Sequence, residues 1–194
     1  MPVDRFFSKF LFIHKYIRQI QSLKKNRKCL TIYRTITSQK NVKTELIMDV
    51  ILISSTGGHF RTLVNLKPFW ENRQRCWVTQ KSHSTELVLQ HESVYWAYGP
   101  TNRSLKNLVK NLFLAWKVID RERPKLIITT GAGESVPFVI IGKLFGSKII
   151  FVESITRVKD ISLSAKLILP LIDRLYVRWS SLKVKYPQAE LISL

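Results

Sequence analysis

Val50-Ile51-Leu52-Ile53-Ser54-Ser55-Thr56-Gly57-Gly58-His59 is the stretch that decides how the chain folds. Its four apolar residues are uninterrupted and rich in β-branching, as in a strand buried on both faces. Beyond the glycines, Leu63, Leu66 and Phe69/Trp70 recur at helical spacing. The pattern predicts a strand over 48–54, a glycine pair, and a helix over 58–70. Such a junction presents free backbone N–H groups and the positive end of a helix dipole, which suits a phosphate or another anion. The same glycines also serve a tight strand-to-helix connection, which any α/β fold requires. GxGxxG and the Walker lysine are both missing, so neither a dinucleotide site nor a P-loop follows.

Working outward, strands and helices alternate, the pattern of a parallel sheet covered on both faces. Strands are predicted at 76–79, 94–97, 126–129, 148–152 and 174–177, with a last short one near 190–193. Helices are predicted at 83–90, 104–121, 136–145 and 162–169. Pro124 and Pro170 stop two of them. A second glycine turn, Thr130-Gly131-Ala132-Gly133-Glu134-Ser135, again joins a buried strand to a helix. Fold rules bring both turns to one edge of the sheet, where open α/β folds bind ligands. Glu153-Ser154 closes a strand at that same edge.

The chain carries 32 Lys/Arg against 13 Asp/Glu, a net +19 in 194 residues, so it seeks an acidic partner. Residues 1–47 are the charge-dense part, with 11 basic and 2 acidic side chains. Within them Phe6, Phe10, Ile13, Ile17 and Ile20 share one helical face, with Lys15 and Arg18 opposite. This predicts a basic amphipathic helix over 5–23, fit either for a membrane interface or for packing on a protein surface. Residues 24–46 read as a polar linker with weak β patterning at 30–36. Met48 stands just before the first core strand, so residues 1–47 are expected to be an accessory extension or a mis-called start. The folded domain is expected over 48–194. No apolar run reaches 18 residues, and the start is a poor signal peptide. Cys29 and Cys76 form neither a disulfide framework nor a zinc pattern. The expected place is the cytoplasmic face of a membrane, bound peripherally.

Several residues carry candidate chemistry. His59, at the first glycine turn, has the side chain for a general base, although capping is as ordinary a role. Glu134 falls in the first turn of a predicted helix, where a carboxylate meets the dipole favourably. Glu153 is the more suggestive acid, with Arg157 four residues on or a ligand as its partner. Metal-ligand spacing is absent, and no cofactor is implied.

The ordered series Ser55-Thr56-Gly57-Gly58-His59, Thr129-Thr130-Gly131-Ala132-Gly133, Val136-Pro137, Ile149-Ile150-Phe151-Val152-Glu153-Ser154, Thr156-Arg157-Val158 and Ser162-Leu163-Ser164 carries a resemblance. It resembles PssD-type bacterial polysaccharide-biosynthesis proteins. It is also similar to the membrane-recruiting subunit of the two-chain UDP-GlcNAc transferase of N-glycan assembly, and to the N-terminal half of MurG-like GT-B glycosyltransferases. The likeness spans about 48–194. It implies a Rossmann-like half of a split GT-B enzyme that meets a lipid-diphosphate-linked sugar acceptor. A second chain, resembling the C-terminal GT-B half, then binds the UDP-sugar. On that basis Thr56, Gly57, Gly58, His59, Gly131, Gly133, Glu134, Ser154 and Arg157 are the expected substrate-binding residues. His59 and Glu153 are the expected catalytic pair, and little activity is expected of the chain alone. Two rival functions are a basic nucleic-acid-binding protein using aromatics such as Trp77 and Trp96, and a self-sufficient small glycosyltransferase. The first is weakened because both tryptophans fall in predicted core strands, and no nucleic-acid partner is expected.

Overall fold

A computed structural model describes residues 48–101 and 104–193. The amphipathic segment with Phe6, Phe10, Ile13, Lys15, Ile17 and Arg18 lies outside the described residues, as does the linker. The elements run β1 (Val50–Ile53), α1 (Gly58–Asn65), α2 (Lys67–Trp70), β2 (Arg75–Gln80), α3 (His83–Val88), β3 (Val94–Ala97) and α4 (Leu105–Glu122). They continue β4 (Leu126–Thr129), α5 (Ser135–Leu144), β5 (Lys148–Val152), α6 (Leu163–Ile168), a 3₁₀ turn at Leu169–Leu171, β6 (Arg174–Val177), α7 (Ser180–Lys185) and β7 (Ala189–Leu191). Seven strands form one sheet in the order β3-β2-β1-β4-β5-β6-β7. Every neighbouring pair is parallel.

The period-two alternation of a strand sorts β1 into two cores. Val50 and Leu52 pack with Phe60, Leu63, Leu66 and Trp70 of α1 and α2. Ile51 and Ile53 pack on the other side with Ala115, Val118 and Ile119 of α4 and Phe138 and Val139 of α5. All four β1 side chains are fully buried, which explains the unbroken apolar run. Close seating of α5 on β4 needs Gly142, because a Cβ there would fall 2.2 Å from Ile127 Cδ1.

Local chemistry sets the element ends. The helix expected over 58–70 breaks at Leu66, because Pro68 falls in the first turn of a new helix, where it has no N–H to donate. Ser82 and Thr85 form a reciprocal capping box on α3. Ser104 caps α4, which ends at Arg123 in the left-handed conformation ahead of Pro124. α7 was not anticipated: its six residues bury only Leu182 and so carry little periodicity. Trp77 packs in the core, but Trp96 is 37% exposed because β3 is an edge strand.

Candidate functional site

The strand order reverses between β1 and β4. From β1 the chain leaves to α1 on one face, and from β4 to α5 on the other. The two connections part, leaving a crevice at the carboxyl ends of these strands, where α/β folds place ligands. Both glycine turns lie there.

The first turn depends on Gly57, whose φ of 73° belongs to the left-handed region that favours glycine. No side chain caps α1. Its first ladder bond runs from Arg61 N–H to Gly57 C=O at 3.0 Å, so the N–H groups of Gly58, His59 and Phe60 stay outside the ladder. Gly57 and Gly58 are exposed, and a Cβ at either would meet nothing within 4 Å. Thr56 beside them is half-buried. The buried Ser54 hydroxyl, just past β1, has no hydrogen-bond partner among the described residues. This end of the crevice thus offers unused donors to an anion.

In the second turn Gly131 has φ 100°, and the next residue, Ala132, has φ 77°. Gly133, an expected substrate-binding residue, makes room for a neighbouring side chain. A Cβ on it would lie 2.8 Å from both Cβ and Oγ1 of Thr101. That close approach lets the Thr101 hydroxyl donate to Glu134 Oε2 at 2.9 Å. Gln80 Nε2 donates to Oε1 at 3.3 Å. Glu134 is fully buried at the N-cap of α5, but its side chain caps nothing. Its carboxylate joins the last residue of β2 and the segment after β3 to the turn after β4. Burial pushes its pKa above the ordinary glutamate value, against the opposing hydrogen bonds and the His59 charge.

His59 connects the two turns. Its Nδ1 lies 2.7 Å from the Thr130 carbonyl oxygen, and the Thr130 hydroxyl donates to the His59 carbonyl at 2.9 Å. A carbonyl only accepts, so Nδ1 carries the hydrogen and the neutral ring keeps its lone pair on Nε2. Gly131 lies alongside: a Cβ there would stand 3.7 Å from His59 Cε1.

Glu153 corrects an expectation. It is fully buried, and its oxygens point into the protein. Oε1 accepts the Ser154 N–H at 2.9 Å, and Oε2 accepts the Ser162 N–H at 2.7 Å and the Ser162 hydroxyl at 3.0 Å. Ser162 in turn caps α6. These three donors, not Arg157, hold the carboxylate and, through Ser162, tie the end of β5 to the start of α6. Arg157 is exposed on that loop and Ser154 is half-buried. The loop is further braced by Trp179 Nε1–H to Ile155 C=O at 2.7 Å and Ser181 hydroxyl to Val158 C=O at 2.8 Å.

The structure therefore gathers His59, Gly57, Gly58 and Gly131 at one crevice, with Glu134 and Gly133 beneath its second wall. It also shows the parts of Thr130 and Ser162, which stand in the quoted motif series, and of Gln80 and Thr101, which carry no sequence signal beyond being polar residues near strand ends. Among the described residues, no group of three His, Cys, Asp or Glu is placed to hold a metal. Cys76 is buried, which pushes its thiol pKa well above the ordinary range, with the Glu122 charge adding to the shift.

This fold and crevice define a Rossmann-like domain of the kind found in GT-B glycosyltransferases. Its architecture matches Acinetobacter baumannii MurG with a TM-score of 0.57 at 13% identity, over 69% of this chain and 42% of that one. It matches a UDP-N-acetylglucosamine 2-epimerase from Rickettsia bellii equally well, with a TM-score of 0.57 at 12% identity, over 75% and 44%. The chain spans less than half the length of either. The family model for Alg14-like oligosaccharide biosynthesis proteins matches residues 97–194. Over 178 residues the chain is 31% identical to the UDP-N-acetylglucosamine transferase subunit ALG14 of Debaryomyces hansenii, covering 73% of this chain and 74% of the relative. The subunit of the same name from Rattus norvegicus is 27% identical, with 73% and 80% covered. The chain belongs to the Alg14-like family.

Proposed function

We propose that this chain is the acceptor-binding, membrane-associated subunit of a two-chain glycosyltransferase. The enzyme transfers a sugar from a UDP-sugar to a lipid-diphosphate-linked saccharide. One observation carries the assignment: the histidine of the first glycine turn is held to the second turn through Nδ1, so that its neutral form has the lone pair on Nε2. Family membership supports it, since the relatives are named as transferase subunits. In this reading the nucleotide sugar falls to a partner chain resembling the C-terminal GT-B half.

In this scheme the outward N–H groups at Gly58 and His59, with Thr56 beside them, take the acceptor diphosphate. His59 Nε2 takes the proton of the acceptor hydroxyl as that oxygen bonds the anomeric carbon of the donor. The nucleoside diphosphate leaves with the bonding pair. Ser154 and Arg157 stand at the rim, where Arg157 meets a second anionic group. No step passes through Glu153.

Peripheral attachment to an anionic membrane has support in the described residues as well. No described helix is long and apolar enough to cross a membrane. Yet α5 packs against both α4 and α6, and the three helices expose Leu105 and Phe113, Ile140 and Leu144, and Leu163 and Leu167. Lys106, Lys110 and Lys117 flank this face on α4. An apolar surface bordered by lysines fits an anionic lipid interface.

The test is transfer by the reconstituted pair of chains with His59→Ala. A fall of about a hundredfold or more is expected for loss of a general base. An unchanged rate removes His59 from the chemistry.

A further inference from the structure

The wall that carries His59 is made of soft backbone. Gly57 and Gly58 precede the histidine, and Gly131 and Gly133 line the facing turn. Glycines leave a loop free to move unless something outside it holds the geometry. Here Thr130 joins the second turn to the end of β1 and to the first turn through three bonds. Its N–H donates to Ile53 C=O at 3.3 Å, its hydroxyl donates to His59 C=O at 2.9 Å, and its own carbonyl accepts from His59 Nδ1 at 2.7 Å. The next residue is tied down too, with Gly131 N–H donating to Thr129 Oγ1 at 3.1 Å. Thr130 is itself fully buried and His59 is half-buried.

We propose that Thr130 is a positioning residue: it holds His59 as the Nδ1–H tautomer and keeps Nε2 unprotonated and turned to the acceptor. This deepens the reading of His59 as the base and rests on it. The carbonyl fixes which nitrogen holds the hydrogen. The hydroxyl fixes where the carbonyl stands relative to the ring, because it anchors the His59 backbone from the same residue. Neither bond alone does both. The paired bonds also tie the connection after β1 to the one after β4, so that both walls of the crevice move as one piece. Thr130 touches no substrate and acts only through the histidine.

The tautomer is read directly by two-bond ¹H–¹⁵N correlation spectra of the full chain labelled at histidine. The four histidines are separated by comparison with His59→Gln. Wild-type His59 is expected to show the Nδ1–H pattern. Thr130→Val removes the hydroxyl and keeps the size, and should raise the Nε2–H form. Thr130→Ser keeps the hydroxyl and should restore the wild-type pattern. In the reconstituted two-chain enzyme, Thr130→Val should lower kcat about five- to tenfold, the worth of one neutral hydrogen bond, with KM little changed and Thr130→Ser near wild type. An Nε2–H pattern in the wild type overturns the proposal, as does a Thr130→Val variant with an unaltered tautomer. A shifted tautomer with an unaltered kcat overturns the positioning role and leaves the family assignment intact. A tautomer that behaves as stated in the isolated chain, in a pair that transfers nothing, counts against the proposed function instead.

Discussion

Glu153→Gln separates scaffold from catalyst. The carboxylate accepts three hydrogen bonds, one on Oε1 from Ser154 N–H and two on Oε2 from Ser162. Glutamine is nearly isosteric but has one acceptor oxygen. Placed toward Ser162, it sets its amide N–H against the N–H of Ser154. One donor is then left unpaired at a buried site, at about 1–3 kcal/mol, and the two retained bonds lose their charge assistance, at about 1 kcal/mol each. Relief of the buried charge offsets part of this, leaving a net loss of about 2 kcal/mol. With a urea m-value of about 2 kcal/mol/M for a domain of this size, the unfolding midpoint should fall by about 1 M. The assay is urea unfolding of the full chain followed by tryptophan fluorescence, beside transfer by the reconstituted pair at a urea-free temperature where the variant is folded. Transfer is expected to survive in the folded variant. An unmoved midpoint with abolished transfer would refute the scaffold role and return Glu153 to the chemistry.

Five more outcomes follow from the structure. Gly131→Ala forces a Cβ into a backbone with φ 100° and to 3.1 Å from Phe151 Cζ, so it should destabilise the domain by about 1–3 kcal/mol in thermal unfolding. Gly58→Ala meets open space at the start of α1 and should be neutral or stabilising by up to about 1 kcal/mol, while weakening retention of a lipid diphosphate. Glu134 has a folded pKa raised above the unfolded value of 4.5, chiefly by burial. It therefore binds more protons when folded, and its contribution to stability falls as pH rises from 4.5 through its folded pKa; Glu134→Gln should flatten that part of the stability–pH curve. Asp160 has the opposite sign. Hydrogen bonds from Lys166, then Tyr186, then Lys185 hold its pKa well below the ordinary 3.8, so its contribution is present above 3.8 and is lost as pH falls through the folded value. Replacing Lys106, Lys110 and Lys117 by Glu should sharply reduce co-sedimentation with anionic vesicles at low salt, with the circular dichroism spectrum unchanged.

The fold was legible because its signals are redundant. The apolar run at 50–53, two strand-glycine-helix junctions and a regular strand–helix alternation all point to a parallel sheet, and a parallel sheet buries its strands on both faces. α7 escaped notice because six residues on the surface bury one leucine. Trp96 was expected to be buried because a strand pattern does not say which strand ends up at the edge. The site was legible only in part. A glycine marks a turn but not its purpose: Gly131 is there for its φ, Gly133 for the approach of Thr101, and Ala132 takes a positive φ that no rule assigned to it. Glu153 ends a strand at the right edge, yet which way a strand-end carboxylate turns depends on the loop that follows. Here Ser162, nine residues on, draws it inward. The bonds between His59 and Thr130 cross 71 residues of sequence and leave no local pattern.

The measurement that bears most directly on the central claim is sugar transfer from a UDP-sugar to a lipid-diphosphate-linked saccharide. It should be made with this chain alone, with a partner resembling the C-terminal GT-B half alone, and with the two together. Transfer is predicted only when both are present, with the acceptor lipid retained by this chain and the nucleotide sugar by its partner. Robust transfer by this chain alone, or retention of the nucleotide sugar at the crevice of His59 and Gly131, would contradict it.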